Sequence, residues 1–207
     1  MKSSSPEDIP ALKSDIIDSL ISIGAVKFGD FTLKSGIQSP IYLDLRLIIS
    51  FPDLLTKIAK VLVELSANLE YDRIAGIPYT ALPIATAFSL ISGKPMIYCR
   101  KEVKSYGTGR RIEGIWNQGE RILIIDDLIT NGESKFETFS VFEESGLTIA
   151  QTIVLIDREQ GGKERLSSSG YQLFSIISIF EILDKMKKTH QINENRYQTI
   201  LSFLKSA

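Results

Sequence analysis

The sequence predicts an α/β protein with a mainly parallel central sheet flanked by helices. Three observations predict it. Apolar stripes at helical spacing alternate along the chain with short apolar runs, the order that builds a parallel sheet with helices on both faces. The run Ile122, Leu123, Ile124, Ile125 is continuously apolar, as in a strand covered on both sides. Of 207 residues, 43% are hydrophobic, enough for one self-sufficient core and unlike a disordered chain.

The elements follow in order. Leu12, Ile16, Ile17, Leu20 and Ile21 make one stripe of period 3.6, a first helix that ends at Gly24. Residues 27–46 alternate loosely and hold Gly29, Gly36 and Pro40, which predicts short strands and turns. Ser50 reads as an N-cap with Pro52 in the first turn of a helix. The inner face of that helix is Leu54, Leu55, Ile58, Val61, Leu62 and Leu65. A short strand over 73–77 ends near Pro78, a helix covers 82–91 and a strand covers 96–100. Residues 101–113 are charged and lack an apolar period; an unpatterned loop of about 13 residues points to a functional role. After the 122–125 strand come a helix over 133–144, a buried strand over 149–156, a polar run over 157–163 and a last strand over 171–177. Tyr197, Ile200, Leu201 and Leu204 mark a C-terminal amphipathic helix. One domain over 1–207 is expected.

Composition removes several classes of function. Lys plus Arg number 24 against 25 Asp plus Glu, and a net charge of -1 argues against a general nucleic-acid binder. No stretch of about 20 apolar residues predicts a membrane span. Residues 1–10 lack an apolar signal core, so a cytoplasmic protein is expected. The single cysteine, Cys99, and the single histidine, His190, exclude an internal disulfide and a Cys/His zinc cluster.

The sharpest signal follows the 122–125 run. There the strand is expected to stop at two acids, Asp126 and Asp127, and Leu128, Ile129, Thr130, Asn131, Gly132, Glu133 and Ser134 lead into a helix. Ligands in open α/β sheets bind beyond strand carboxyl ends. A turn whose N–H groups sit beside a helix N-terminus suits a phosphate dianion, with the Thr130 and Ser134 hydroxyls as further donors and Gly132 allowing close approach. Asp126 and Asp127, one step earlier, can accept hydrogen bonds from a ribose diol and favour positive charge beside it. A lone Asp after a strand is by default a turn or cap residue, but two adjacent buried acids repel each other and call for a use. A receiver domain carries paired acids after its first strand, whereas several strands come first here. The Walker phosphate loop is absent, and Gly107-Thr108-Gly109 lacks the third glycine of the dinucleotide fingerprint.

The run 122–134 resembles the phosphoribosyl-pyrophosphate motif of type I phosphoribosyltransferases: an apolar run, two acids, two apolar residues, Thr, a small residue, Gly, any residue, then Thr or Ser. Asn131 stands at the small position. Segments 27–36 and 39–44 resemble the N-terminal substrate segment of the orotate phosphoribosyltransferase family. Segment 76–85 resembles its pyrophosphate-side loop, 100–107 its mobile catalytic loop, and 157–162 its base-side segment. The matches run from about residue 12 to 166. The spelling of 100–104 and 157–162, with Tyr106 where many stand-alone bacterial enzymes have His, is nearest the transferase half of bifunctional UMP synthase. A decarboxylase barrel of about 250 residues is not expected within these residues.

The resemblance implies a type I phosphoribosyltransferase fold with a small N-terminal hood, residues 12–45, over a core of 50–180. It implies transfer of the phosphoribosyl group to orotate in pyrimidine biosynthesis, with Mg²⁺ held mainly by substrate and Asp126 or Asp127 touching it at most through water. It implies that Tyr79, Thr80, Arg100, Lys101, Lys104, Tyr106, Asp126, Asp127 and the residues 128–134 bind phosphoribosyl pyrophosphate, and that Lys34, Tyr42, Leu43, Thr130 and Arg158 bind orotate. Lys101, with Lys104 and the acids, is the implied catalytic set, since basic groups at a departing diphosphate act most strongly on the transition state. Arg158 follows a strand end, where a bidentate contact to a carboxylate is feasible; a salt bridge to Asp157 or Glu159 is its bland alternative. The 101 loop is implied to close over the neighbouring subunit of a homodimer. A transferase for another base, or a non-catalytic regulator on the same fold, remains open. The first would have no need of Arg158 and Lys34, and the charge of -1 and the basic loop argue against the second.

Overall fold

A computed structural model describes residues 8–32, 36–101 and 111–206. Among these, six strands form one sheet in the order β5-β4-β3-β6-β7-β8: β3 (Arg73–Gly76), β4 (Met96–Cys99), β5 (Ile112–Glu113), β6 (Arg121–Ile129), β7 (Thr148–Asp157) and β8 (Leu173–Ser178). All neighbours are parallel except the edge pair β4/β5, which is antiparallel. β1 (Val26–Thr32) and β2 (Gln38–Leu43) form a separate antiparallel ribbon within the 12–45 segment, whereas Ile16 and Leu20 of the same segment pack into the main core.

The helices are α1 (Ile9–Ser22), α2 (Pro52–Ser66), α3 (Ala81–Ser92), α4 (Glu133–Glu144), α5 (Gly162–Ser168), α6 (Ile179–Lys188) and α7 (Glu194–Ser206). They cover both faces of the sheet. On one face Leu123, Ile125, Ile153 and Leu155 pack with Ile16 and Leu20 of α1, Ile58 and Leu62 of α2, Phe88 of α3, and Ile182 and Ile200 of α6 and α7. On the other, Ile122, Ile124 and Val154 pack with Phe139 and Phe142 of α4 and Leu166 of α5. This explains why 122–125 is apolar at every position: successive residues enter different cores.

Local signals account for most boundaries. Asp8 caps α1, its Oδ1 accepting the Ala11 N–H at 3.3 Å, and Gly24 turns the chain at φ +72°. α6 opens on a capping box, Ser178 with Glu181, and ends on Lys185, Lys187 and Lys188. The expected Ser50 cap is displaced: Phe51 occupies the cap position of α2 without a side-chain hydrogen bond, and Pro52 starts the helix. A 3-10 turn over Leu45–Ser50 absorbs the preceding residues.

Strand order places a crevice where connections diverge. From β3 the chain crosses to β4 on one side; from β6 it crosses to β7 on the other. The carboxyl ends of β3 and β6 are neighbours, Gly76 opposite Ile125, and the Ile77 N–H donates to the Ile125 carbonyl at 3.0 Å. Such a switch point is where open α/β sheets hold ligands.

Candidate active site

β6 does not stop at its acids. The ladder with β7 continues through Asp126, opposite Val154, to Leu128 and Ile129, opposite Ile156 and Asp157. The acids therefore lie inside the last strand segment. The alternation slips once beyond them: Leu128 packs on the Leu123 side and Ile129 on the Ile122 side.

The two carboxylates have different surroundings. Asp126 is 4% exposed. Its Oδ1 accepts the Asp127 N–H at 2.8 Å, and its Oδ2 pairs with the buried Lys135 ammonium of α4. Lys135 Nζ also donates to the Leu128 carbonyl at 2.9 Å. Asp127 is half-buried and hydrogen-bonded to the Thr80 side chain. Burial first, and the neighbouring Asp126 second, push the Asp127 carboxyl up to about 7, against the pull of Lys135 and Thr80.

The turn over residues 130–134 has local geometry that follows from its residue types. Gly132 takes a left-handed φ of +77° as the cap of α4. Asn131 Oδ1 accepts the Glu133 N–H at 3.2 Å, which accommodates the larger residue at the small position. No backbone carbonyl among the described residues engages the Asn131 or Gly132 N–H. Thr130 is half-buried and Ser134 exposed.

The sequence reading gave Gly162 no role of its own. A Cβ there would stand 2.4 Å from the Thr130 carbonyl oxygen and 2.7 Å from Ile129 Cγ1. The start of α5 thus rests directly on the end of β6 and Thr130, with Gly161 supplying the preceding left-handed residue at φ +82°. Gly162→Ala should cost about 1–3 kcal/mol by overpacking, measured by denaturant unfolding, and should displace the turn. Parental stability in that variant would mean the contact yields freely.

Arg158 is 5% exposed, and its Nε and Nη2 have no hydrogen-bond partner. Desolvation lowers its affinity for the proton, with no offsetting carboxylate. The bland alternative of an ion pair with Asp157 or Glu159 is not what forms. Asp157 Oδ1 instead accepts the Glu159 N–H at 2.8 Å, holding Glu159 at φ +56°. The Arg158 N–H is pinned to the Ile129 carbonyl at 3.0 Å, which anchors the Arg158 backbone beside the end of β6.

On the β3 side, residues 77–80 hold a cis peptide between Pro78 and Tyr79. Tyr79 is 57% exposed, and Lys101 Nζ lies 5.6 Å from its ring centroid. A cleft of about 450 Å³ opens here, lined by Arg46, Pro78, Tyr79, Thr80, Pro83 and Lys101 among others. Arg100 is not turned into it: its guanidinium pairs with Glu113, on the short β5 that the loop reading missed. Tyr42 stacks at 5.4 Å on Phe31 in the hood and accepts from Arg46 Nη2 at 3.4 Å; Leu43 packs on the larger core. No hydrogen bond, ion pair or ring contact joins either to Arg158 among the described residues. Lys34, Lys104 and Tyr106 lie outside the described residues.

A doubly covered parallel sheet, an acid pair and glycine-bearing turn at its switch point, and a separate N-terminal ribbon together define a type I phosphoribosyltransferase. No family model matches the chain. It is 36% identical to orotate phosphoribosyltransferase of Caenorhabditis elegans over 94% of this chain and 87% of that protein. It is 40% identical to bovine uridine 5'-monophosphate synthase over 94% of this chain, which spans only 41% of that longer protein. The crystal structure of orotate phosphoribosyltransferase from Aeropyrum pernix superposes with a TM-score of 0.74 at 32% identity, covering 83% of this chain and 97% of that one. The chain belongs to the orotate phosphoribosyltransferase family.

Proposed function

We propose that this chain transfers the 5-phosphoribosyl group of phosphoribosyl pyrophosphate to orotate, forming orotidine 5'-monophosphate and pyrophosphate in pyrimidine biosynthesis. The observation that carries the choice of base is Arg158. A buried guanidinium with two idle donors beside the phosphate turn calls for a planar anion, and orotate is a pyrimidine bearing a carboxylate. Turnover of orotate with phosphoribosyl pyrophosphate and Mg²⁺, against a panel of uncharged bases, tests the reading. Uracil or a purine turned over as well as orotate would overturn it.

In this reading the 130–134 turn holds the 5'-phosphate, and Asp127, with Asp126 behind it, faces the ribose. As the C1–O bond to diphosphate breaks and orotate N1 bonds to C1 in place of its proton, which passes to the departing diphosphate or solvent, C1 gains cationic character that an ionised Asp127 favours. No side chain need bond to C1. Mg²⁺ fits as an ion brought by the substrate. Among the described residues no group of three or more His, Cys, Asp or Glu gathers, and Asp127 is the crevice carboxylate that would meet the ion, directly or through water. When bound, the ion neutralises diphosphate charge.

Lys101, at the mouth of the cleft with Tyr79 and Thr80, is the leaving-group residue of this proposal. Lys101→Ala should lower kcat at least about tenfold, or about 1.4 kcal/mol of transition-state stabilisation, with an unaltered melting curve. Unchanged kcat would remove this residue from the mechanism. The reading includes a cytoplasmic homodimer in which the loop bearing Lys101, Lys104 and Tyr106 completes the neighbouring site. The apolar wall of the cleft, with Ile49 62% exposed, supports a second copy docking there. No helix of the described residues is long and apolar enough to cross a membrane.

A further inference from the structure

Lys135 is a residue that neither the motif nor the base-side segments include. It stands at the third position of α4, in register with Phe139 and Phe142, on the buried stripe of the helix. Its side chain is 8% exposed and that of Asp126 is 5% exposed. A cation in the first turn opposes the helix dipole, and a buried ion pair is seldom more stabilising than apolar residues of similar volume. Stability alone therefore gives little reason for a lysine at this position.

The contacts give another reason. Lys135 Nζ bridges Asp126 Oδ2 and the Leu128 carbonyl, so α4 is tied to the strand on both sides of Asp127. Asp126 Oδ1 is taken by the Asp127 N–H. Both oxygens of Asp126 are thus engaged within the protein, whereas Asp127 is only half-buried and bonds to Thr80 at the end of the β3 connection.

Resting on the reading of this crevice as a phosphoribosyl pyrophosphate site, we propose that Lys135 is a positioning residue that divides the acid pair: it withdraws Asp126 into an internal strut that sets the 128–134 turn, and leaves Asp127 as the one acid that meets the ribose. The chain offers two acids and presents one.

The test is phosphoribosyl pyrophosphate binding by calorimetry without orotate, together with KM for both substrates, in the parent, Lys135→Met and Asp126→Asn/Lys135→Met. Lys135→Met is expected to weaken phosphoribosyl pyrophosphate binding about tenfold or more and to leave the orotate KM within about twofold. Adding Asp126→Asn should change that affinity by less than about threefold, because the two side chains act as one unit. The double variant leaves no lone buried charge, so it carries the test where Lys135→Met alone does not fold. Folded variants with parental affinity would make the pair merely structural and overturn the proposal. A further loss of about tenfold on adding Asp126→Asn would show Asp126 touching the ligand, and would overturn it equally. If the parent itself does not bind phosphoribosyl pyrophosphate, the reading of the site fails and the proposal with it; parental binding with an unaffected variant fails the proposal alone.

Discussion

Arg158→Leu should raise the KM for orotate by about 100-fold or more, and should make the ligand-free protein more stable. Two charge-assisted hydrogen bonds to a carboxylate, at about 1.5–3 kcal/mol each, account for the first effect. The second follows from the same atoms. Nε and Nη2 are buried without partners, and desolvation works against the charge. Removing unpaired buried donors recovers about 1–3 kcal/mol, and each kcal/mol moves the melting temperature of a chain this size by about 2–4 °C. The KM for phosphoribosyl pyrophosphate should change little, because the Arg158 backbone N–H that braces the end of β6 is kept in the variant. Saturating orotate should raise the parent's melting temperature and not the variant's. A destabilised variant with the parental orotate KM would reassign Arg158 to the core.

The opposite signs of those two effects show how the fold stores binding capacity. Glu159 is held in a left-handed conformation by Asp157, the Arg158 backbone is pinned to β6, and the guanidinium is kept buried with its Nε and Nη2 unpartnered. An empty site of this kind is costly to keep and costs little to fill, which is preorganisation in energetic form.

How much of this was legible in the sequence depended on the range of the interactions. α1, α2, α4 and the C-terminal helix came from the 3.6 period, and β6 and β7 from apolar runs, because burial on one or both faces writes itself into neighbouring residues. β5 escaped because two residues with one ladder to an edge strand carry no period. α5 and α6 escaped for different reasons. α5 is short and polar on most of its surface, and α6 follows β8 with no turn residue between them. The acids were read as the end of a strand because charge normally ends burial; the continuation depends on Lys135 nine positions away. Lys135 did leave a signal, a lysine in register with Phe139 and Phe142, visible only to a reader asking which position breaks the stripe. Gly162 left none, since its closest neighbours, Ile129 and Thr130, lie far from it in sequence.

Asp127→Asn should lower kcat by about 100-fold or more and should remove one pH-dependent contribution to stability. The rate effect is the loss of a charge opposite the carbon that becomes cationic, of the size seen when one preorganised electrostatic group is removed. The stability effect follows from the raised carboxyl, which titrates at about 7 in the folded protein against 3.8 for the unperturbed group. Between those values the folded chain holds a proton that the unfolded chain has released. Stability contributed by this position is therefore fully present at low pH and is lost as pH rises toward 7 and beyond. Asparagine does not titrate, so the variant should gain on the parent from pH 4 to pH 8, by about 2–4 kcal/mol at the upper end. Denaturant unfolding at both pH values measures the difference. In kinetics, kcat/KM for phosphoribosyl pyrophosphate should fall in the parent below about pH 7, as the free enzyme takes up the proton. The variant should keep only the limb that belongs to the phosphates of the substrate. Equal pH dependence of stability in the two proteins would mean that Asp127 is already ionised in the empty crevice, and that Lys135 and Thr80 outweigh burial and Asp126 there.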